Sequence, residues 1–181
     1  MALAKNNAVY ILIGSLPIKL ENKITNRSFL IDPDGKVLCK YDKIHLYDVN
    51  LPNGDIYRES DTYSSGNKAV IGEIKENKLK IGMTICYDLR FPNLYQDLAK
   101  NGAEIITVPS AFSNMTGPDH WHTLLKARAI ETGSFIIAPA QSGKHQCGRT
   151  SFGHSLIISP WGKILSEAKK LVEAGVCVRF I

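Results

Sequence analysis

Cys86 closes the run Leu79-Lys-Ile-Gly-Met-Thr-Ile and is followed by Tyr87-Asp-Leu-Arg-Phe-Pro. A side chain at a strand–turn–helix junction is lifted out of its sheet toward a crevice. Nearby backbone N–H groups there can hold a developing oxyanion. On position alone, Cys86 reads more readily as a small buried hydrophobe, which is what most free cysteines are. An ordinary thiol, with a pKa of about 8.5, is mostly protonated at neutral pH, so nucleophilic use requires a nearby cation or base. His45, His154 and Lys43 are candidates, and each also has a structural reading as a hydrogen-bonded histidine or a solvated lysine. His120 and His122 are two residues apart, which places them on different faces of a helix, so they are read as non-ligands. Arg128 and Glu131 lie three apart on one predicted helix and read as a structural ion pair.

The elements that must position these residues follow from periodicity and turn chemistry. Val9-Tyr-Ile-Leu-Ile-Gly-Ser predicts a buried strand. Ser28-Phe-Leu-Ile and Lys36-Val-Leu-Cys flank Asp32-Pro-Asp-Gly, which predicts a hairpin. Residues Tyr41 to Gly66 are polar and turn-rich, and read as one long loop of the kind that often carries function. Leu79, Ile81, Met83 and Ile85 alternate as a strand would, and Asn93 to Asn101 predicts a helix ended by Gly102. Ala103 to Pro109 predicts a strand. Asp119 is expected to cap a helix that carries Trp121, Leu124, Leu125 and Arg128 on one face and stops at Gly133. Ser134 to Ala140, Ser155 to Ser159 and Val176 to Ile181 complete a strand-heavy second half. His154 and Trp161 read as core or loop residues. The pattern is that of an α/β protein with mixed sheets.

Composition narrows the function classes. The 181 residues are 44% hydrophobic, enough for one domain with a substantial core, and too apolar for intrinsic disorder. Lys and Arg number 22 against 17 acidic residues, and the resulting +5 is scattered, so no nucleic-acid-binding segment is expected. The apolar run Ala8 to Gly14 falls far short of the roughly 20 residues that span a bilayer, so no membrane association is expected. Cys39, Cys86, Cys147 and Cys177 form no C-x-x-C pair, which argues against a cysteine zinc site and suits a reducing, cytoplasmic compartment. No phosphate-cradling glycine loop and no metal cluster is read, so no cofactor is expected.

Tyr41-Asp-Lys-Ile-His-Leu and Gly82-Met-Thr-Ile-Cys-Tyr-Asp-Leu-Arg-Phe-Pro resemble the nitrilase superfamily of carbon–nitrogen hydrolases. Val108-Pro-Ser-Ala-Phe, His120-Trp, Leu125-Lys-Ala-Arg-Ala-Ile-Glu and Ser151-Phe-Gly-His-Ser-Leu-Ile-Ile-Ser-Pro-Trp-Gly extend the likeness over nearly the whole chain. They resemble the Nit branch, which holds omega-amidases and the amidase of deaminated glutathione, with the second closer in wording.

The resemblance implies an α-β-β-α sandwich and a Glu-Lys-Cys catalytic triad, with a second Glu. Cys86 matches the nucleophile, Lys43 the lysine, and Glu59, sixteen residues further on, the second glutamate. An ammonium beside the thiol would favour the thiolate and then hold the tetrahedral oxyanion together with the Tyr87 N–H. Tyr87, Arg90 and Phe112 match positions beside the substrate, where Arg90 would either grip a carboxylate or be locked by Asp88. The implied substrate is a linear, carboxylate-bearing amide hydrolysed through a cysteine acyl-enzyme; a nitrile fits the branch less well. The family's first glutamate, its general base in a Pro-Glu motif, has no match here. The expectation is therefore a single carbon–nitrogen hydrolase domain over residues 1–181, lacking its N-terminal part and C-terminal tail. Its sandwich would be incomplete and its turnover impaired. The alternative is an inactive remnant or half-protein that binds a partner chain. A homodimer or a complementary N-terminal fragment is the expected partner.

Overall fold

The computed structural model describes residues 1–21, 23–146 and 148–168. The predicted strand Val176 to Ile181, together with Cys147 and Cys177, lies outside the described residues. The chain runs α1 (Ala2–Asn7), β1 (Ile11–Leu20), β2 (Lys23–Ile31), β3 (Val37–Asp42), β4 (Asp48–Asn50), β5 (Ile56–Arg58), β6 (Val70–Glu73) and β7 (Lys80–Met83). It continues through α2 (Pro92–Lys100), β8 (Ile105–Thr107), α3 (Gly117–Thr132), β9 (Phe135–Ala138), β10 (Ser142–Lys144), β11 (Thr150–Phe152), β12 (Ser155–Ile158) and β13 (Ile164–Ala168).

A six-stranded sheet in the order β13-β12-β9-β8-β7-β6 forms the centre. Its middle strands β7, β8 and β9 are parallel, and β6, β12 and β13 join antiparallel, so the sheet is mixed. The parallel strands carry Ile81, Ile105, Ile106, Ile136 and Ile137, as expected of strands covered on both faces. Helices α2 and α3 pack on this sheet and on each other, with Leu94, Leu98, Trp121, Leu125 and Ala129 turned inward. Leu30 and Tyr41, from the antiparallel sheet β1-β2-β3, share one core cluster with Met83, Ile85 and Ile106. This is a mixed α/β, sheet-on-sheet architecture.

Several boundaries differ from those read in the sequence. β1 extends through Pro17 to Leu20 because a bulge between Ile13 and Leu16 lets it re-pair with β2 as an outer strand, where proline is tolerated. The expected loop Tyr41 to Gly66 holds the end of β3 and the ribbon β4-β5, too short and polar to show a period. Strands β6, β10, β11 and β13 are additions to the expected set, and β10 and β11, of three residues each, are likewise too short to show a period. Asp119 lies in the first turn of α3 rather than at its cap, which is Thr116. Gly102 and Gly133 do end their helices, at φ of 89° and 64°, conformations that glycine adopts without a Cβ penalty. Trp161 is 91% exposed and belongs to the surface, not the core. Among the described residues, no helix is long and apolar enough to cross a membrane.

The β2–β3 pair is fastened by a bidentate bridge, with Arg27 Nε and Nη2 donating to Asp42 Oδ1 and Oδ2 at 2.6 and 2.8 Å. The hydrogen bond from Arg27 holds the Asp42 carboxyl below the usual carboxylate range. A carboxyl depressed in the folded state contributes stability above its unfolded pKa of about 3.9 and loses it as pH falls through the folded value. Asp42→Asn should therefore lower the melting temperature at neutral pH. Below about pH 4 the gap to the parent should close in a thermal-melt series, since protonation then costs the parent the same ionic bridge. A gap unchanged down to the acid limit would contradict this.

Candidate active site

Cys86 follows β7 at the point where the strand gives way to a 3-10 turn, Cys86–Arg90. The chain is pinned on entry by Thr84 N–H to Thr107 C=O at 3.1 Å and Cys86 N–H to Pro109 C=O at 3.0 Å. Cys86 has φ of 47°, a left-handed conformation that costs a non-glycine residue on the order of 1–3 kcal/mol and is typically kept at functional positions. The turn presents a partly buried Cys86 to a cavity of about 1530 Å³.

Lys43, just past β3, lines the same cavity and is 3% exposed. Its Nζ donates to Glu59 Oε2 at 2.5 Å. The same carboxylate oxygen accepts the Tyr47 N–H at 2.6 Å, and Asn26 Nδ2 approaches Oε1 at 3.4 Å. Burial pushes the Cys86 thiol above its ordinary value. The Lys43 ammonium, the Ala111 N–H and the Ser110 side chain pull it back, and Glu59 opposes them. Lys43, Glu59 and Cys86 thus converge on one cavity, with the lysine charge the first influence set against desolvation of the sulfur.

What fixes the lysine loop against the cysteine turn is Asp88, fully buried. Its Oδ2 accepts Tyr41 Oη–H at 2.7 Å and Ile85 N–H at 2.9 Å, while Oδ1 accepts His45 N–H at 3.0 Å and lies 2.7 Å from His45 Nδ1. Burial, with Asp88 beside it, drives the Tyr41 phenol far above its usual range, so it stays a donor. His45 also stacks on Phe91 at 3.6 Å, the structural reading that its sequence context allowed.

Arg90 is not locked by Asp88, whose oxygens face Tyr41, Ile85 and His45. It donates instead to His120 Nδ1 at 3.1 Å, and its guanidinium lies 6.0 Å from the Tyr87 ring and 5.5 Å from Phe112. Tyr87, Arg90 and Phe112 all line the cavity. Arg128 pairs with Glu131 at 2.8 Å and donates to the Leu89 carbonyl at 3.0 Å, as scaffold. Not foreseen in the sequence were Asp88 as the organising group, Tyr47 beside Glu59, Ser110 beside Cys86, and Arg149, which sits over the Tyr57 ring at 4.7 Å on the cavity wall. The fully buried Asp88, two residues past the cysteine, could have been suspected from its place alone. Arg149 lies in a polar segment with no period to mark it. Among the described residues that line the cavity, Glu59 is the sole carboxylate.

The whole chain, residues 1–181, matches the family described as carbon-nitrogen hydrolase. It is 44% identical over 169 residues to a deaminated glutathione amidase of Synechocystis sp., covering 92% of this chain and 62% of that protein. The chain therefore spans about three fifths of the length of these curated relatives, which include deaminated glutathione amidases of Yersinia enterocolitica and Dictyostelium discoideum. Among solved structures, the NitFhit protein of C. elegans superposes with a TM-score of 0.87 at 35% identity, over 95% of this chain and 42% of that one. A mutant amidase from Nesterenkonia sp. AN1, carrying the acetamide moiety of fluoroacetamide covalently on its active-site cysteine, superposes at 0.78 with 26% identity, over 96% and 61%.

Proposed function

Since the chain belongs to the carbon–nitrogen hydrolase family, in the Nit branch of the nitrilase superfamily, we propose that it carries the nucleophilic half of an amidase site acting on a small, linear, carboxylate-bearing amide. The observation that carries this reading is the convergence of a left-handed Cys86 and a buried, Glu59-held Lys43 on one cavity. In this reading the Cys86 sulfur adds to the amide carbonyl carbon. The oxyanion is held by the Lys43 ammonium and the Tyr87 N–H, and collapse expels the amine to leave a thioester. Water then adds to the thioester, releasing the carboxylic acid and restoring the thiol. Arg90, set on the cavity wall between aromatic rings, is the group we assign to the substrate carboxylate.

Two proton transfers need a base: from the thiol, and from the hydrolytic water. Glu59 is committed to Lys43 and the Tyr47 N–H, so it serves as a positioning residue and not as that base. General acid–base catalysis is worth on the order of 10²–10⁴ in rate. We therefore assign the described residues acylation chemistry with slow turnover. A second reading, a half-protein completed by a partner segment that brings the base, is favoured by the cavity's volume. It exceeds the roughly 300–1000 Å³ of ordinary small-ligand sites, and Ile11, Leu30, Ile81 and Ile105 line it.

Fluoroacetamide tests the first reading directly: the sulfur displaces fluoride and keeps an acetamide group. Peptide mass spectrometry should find that group on Cys86 well before Cys39, whose thiol is raised by burial with no cation to offset it. Equal labelling of the two would overturn the assignment of Cys86. Ammonia release from α-ketoglutaramate that rises only on adding a Pro-Glu-bearing N-terminal half of a Nit-branch relative would favour the second.

A further inference from the structure

Outside the lining of the Cys86 cavity, three side chains from three separate elements meet. His122 comes from α3, His154 from the corner between β11 and β12, and Glu167 from β13. Glu167 Oε1 lies 3.0 Å from His122 Nε2 and 2.6 Å from His154 Nδ1, and the three donor atoms fall within 4.8 Å of one another. We propose that His122, His154 and Glu167 form a zinc site that ties β13 to α3.

The donor set is right for the ion. Two imidazoles and a carboxylate are borderline ligands of the kind zinc takes, with metal–ligand bonds of about 2.0–2.2 Å that place donors a little over 3 Å apart in a tetrahedron. The carboxylate oxygen at 2.6 and 3.0 Å from the two nitrogens must draw back, and the donors, all within 4.8 Å, must rotate to that spacing. Each imidazole would bind through the nitrogen that now faces Glu167, its proton moving to the other ring nitrogen or to solvent. The side chains are 27%, 24% and 32% exposed, which leaves an open approach and room for a water as fourth ligand.

The surroundings hold the two rings in place. Phe152 stacks on His154 at 4.3 Å and meets the His122 ring edge-on at 6.1 Å. His154 has φ of 58°, a left-handed backbone that costs energy outside glycine, and its carbonyl is clamped by Trp121 Nε1–H at 2.7 Å. Trp121 is the neighbour of His122 on α3, so helix and corner are locked together next to the triad. The register Leu156↔Glu167 then sets the carboxylate opposite a residue two past His154. The partner of His122 is 32 residues away in the sequence and was not reachable by periodicity.

The test is zinc titration of chelator-stripped protein, followed by calorimetry, with cobalt(II) as a spectroscopic substitute. One ion per chain is expected, and zinc at a hundredfold excess over its dissociation constant should raise the melting temperature by about 5–10 °C. The cobalt spectrum should lack the sulfur charge-transfer band that a thiolate such as Cys86 would give. Glu167→Gln, on an exposed strand position, and His154→Asn, which keeps a residue tolerant of the left-handed backbone, should each weaken zinc by at least about 10- to 100-fold. No stoichiometric uptake, uptake unaltered in both variants, or a thiolate band overturns the proposal and leaves a metal-free His–Glu–His cluster. Fluoroacetamide labelling of Cys86 reads the other site, so failure here and failure of the amidase reading are distinguishable.

Discussion

Lys43→Met should slow the alkylation of Cys86 by iodoacetamide several-fold at neutral pH. The ammonium is the first influence that lowers a thiol raised by burial, so its loss cuts the thiolate fraction. The more basic thiolate that remains is intrinsically more reactive, with a Brønsted slope of about 0.4–0.5, and this recovers nearly half of the loss on a logarithmic scale. The same substitution strands the Glu59 carboxylate, 14% exposed, without its cation. Breaking a buried pair from one side costs about 3–5 kcal/mol, so the urea midpoint should fall sharply. Lys43→Met with Glu59→Gln separates the two effects. The amide still accepts the Tyr47 N–H, so stability should return while Cys86 stays slow. A double variant whose thiol reacts at the parent rate would show that Lys43 does not act on the sulfur.

Asp88→Ala is the substitution expected to do the greatest structural harm. It removes a fully buried carboxylate that serves Tyr41, Ile85 and His45 and leaves at least three donors without a partner in the interior. Each orphaned donor costs about 1–3 kcal/mol, together a large part of the 5–15 kcal/mol by which domains are stable. Urea unfolding should show a loss of about 3–5 kcal/mol, and Cys86 should lose its labelling advantage over Cys39 even at temperatures where the variant stays folded. A loss under about 1 kcal/mol would mean that water replaces the carboxylate and that the knot is not what sets the geometry. Asp88→Asn keeps one acceptor oxygen and should fall between the two.

Much of the frame was legible because strong local signals coincide with it. The Asp32-Pro-Asp-Gly turn, the alternation before Cys86, and the glycines after α2 and α3 each state a backbone requirement that no distant contact overrides. The turn that carries Cys86 was legible too, since a strand end followed by Phe91-Pro92 leaves the chain little else to do. Strands β4, β5, β10 and β11 were not, because three-residue ribbons carry no period and exist only through their pairing. That Cys86 shares a cavity with Lys43 and Glu59 was suggested for the cysteine by its strand-end position, and for the other two only by family likeness. A lysine in a polar segment looks solvated until the fold encloses it. The Asp88 knot and the His122–His154–Glu167 cluster depend on separations of 43 and 45 residues, respectively, and local pattern has no access to those.

The knot also has a consequence in time. A chain emerging from synthesis holds Tyr41 and Lys43 long before residue 88, and until that long loop closes the sulfur has neither its ammonium nor its left-handed backbone. It is then a common thiol, no more prone to electrophiles than Cys39. Because the loop's closure entropy must be met before Asp88 can gather its donors, the meeting of Lys43 with the Cys86 turn arises only together with the folded sheet.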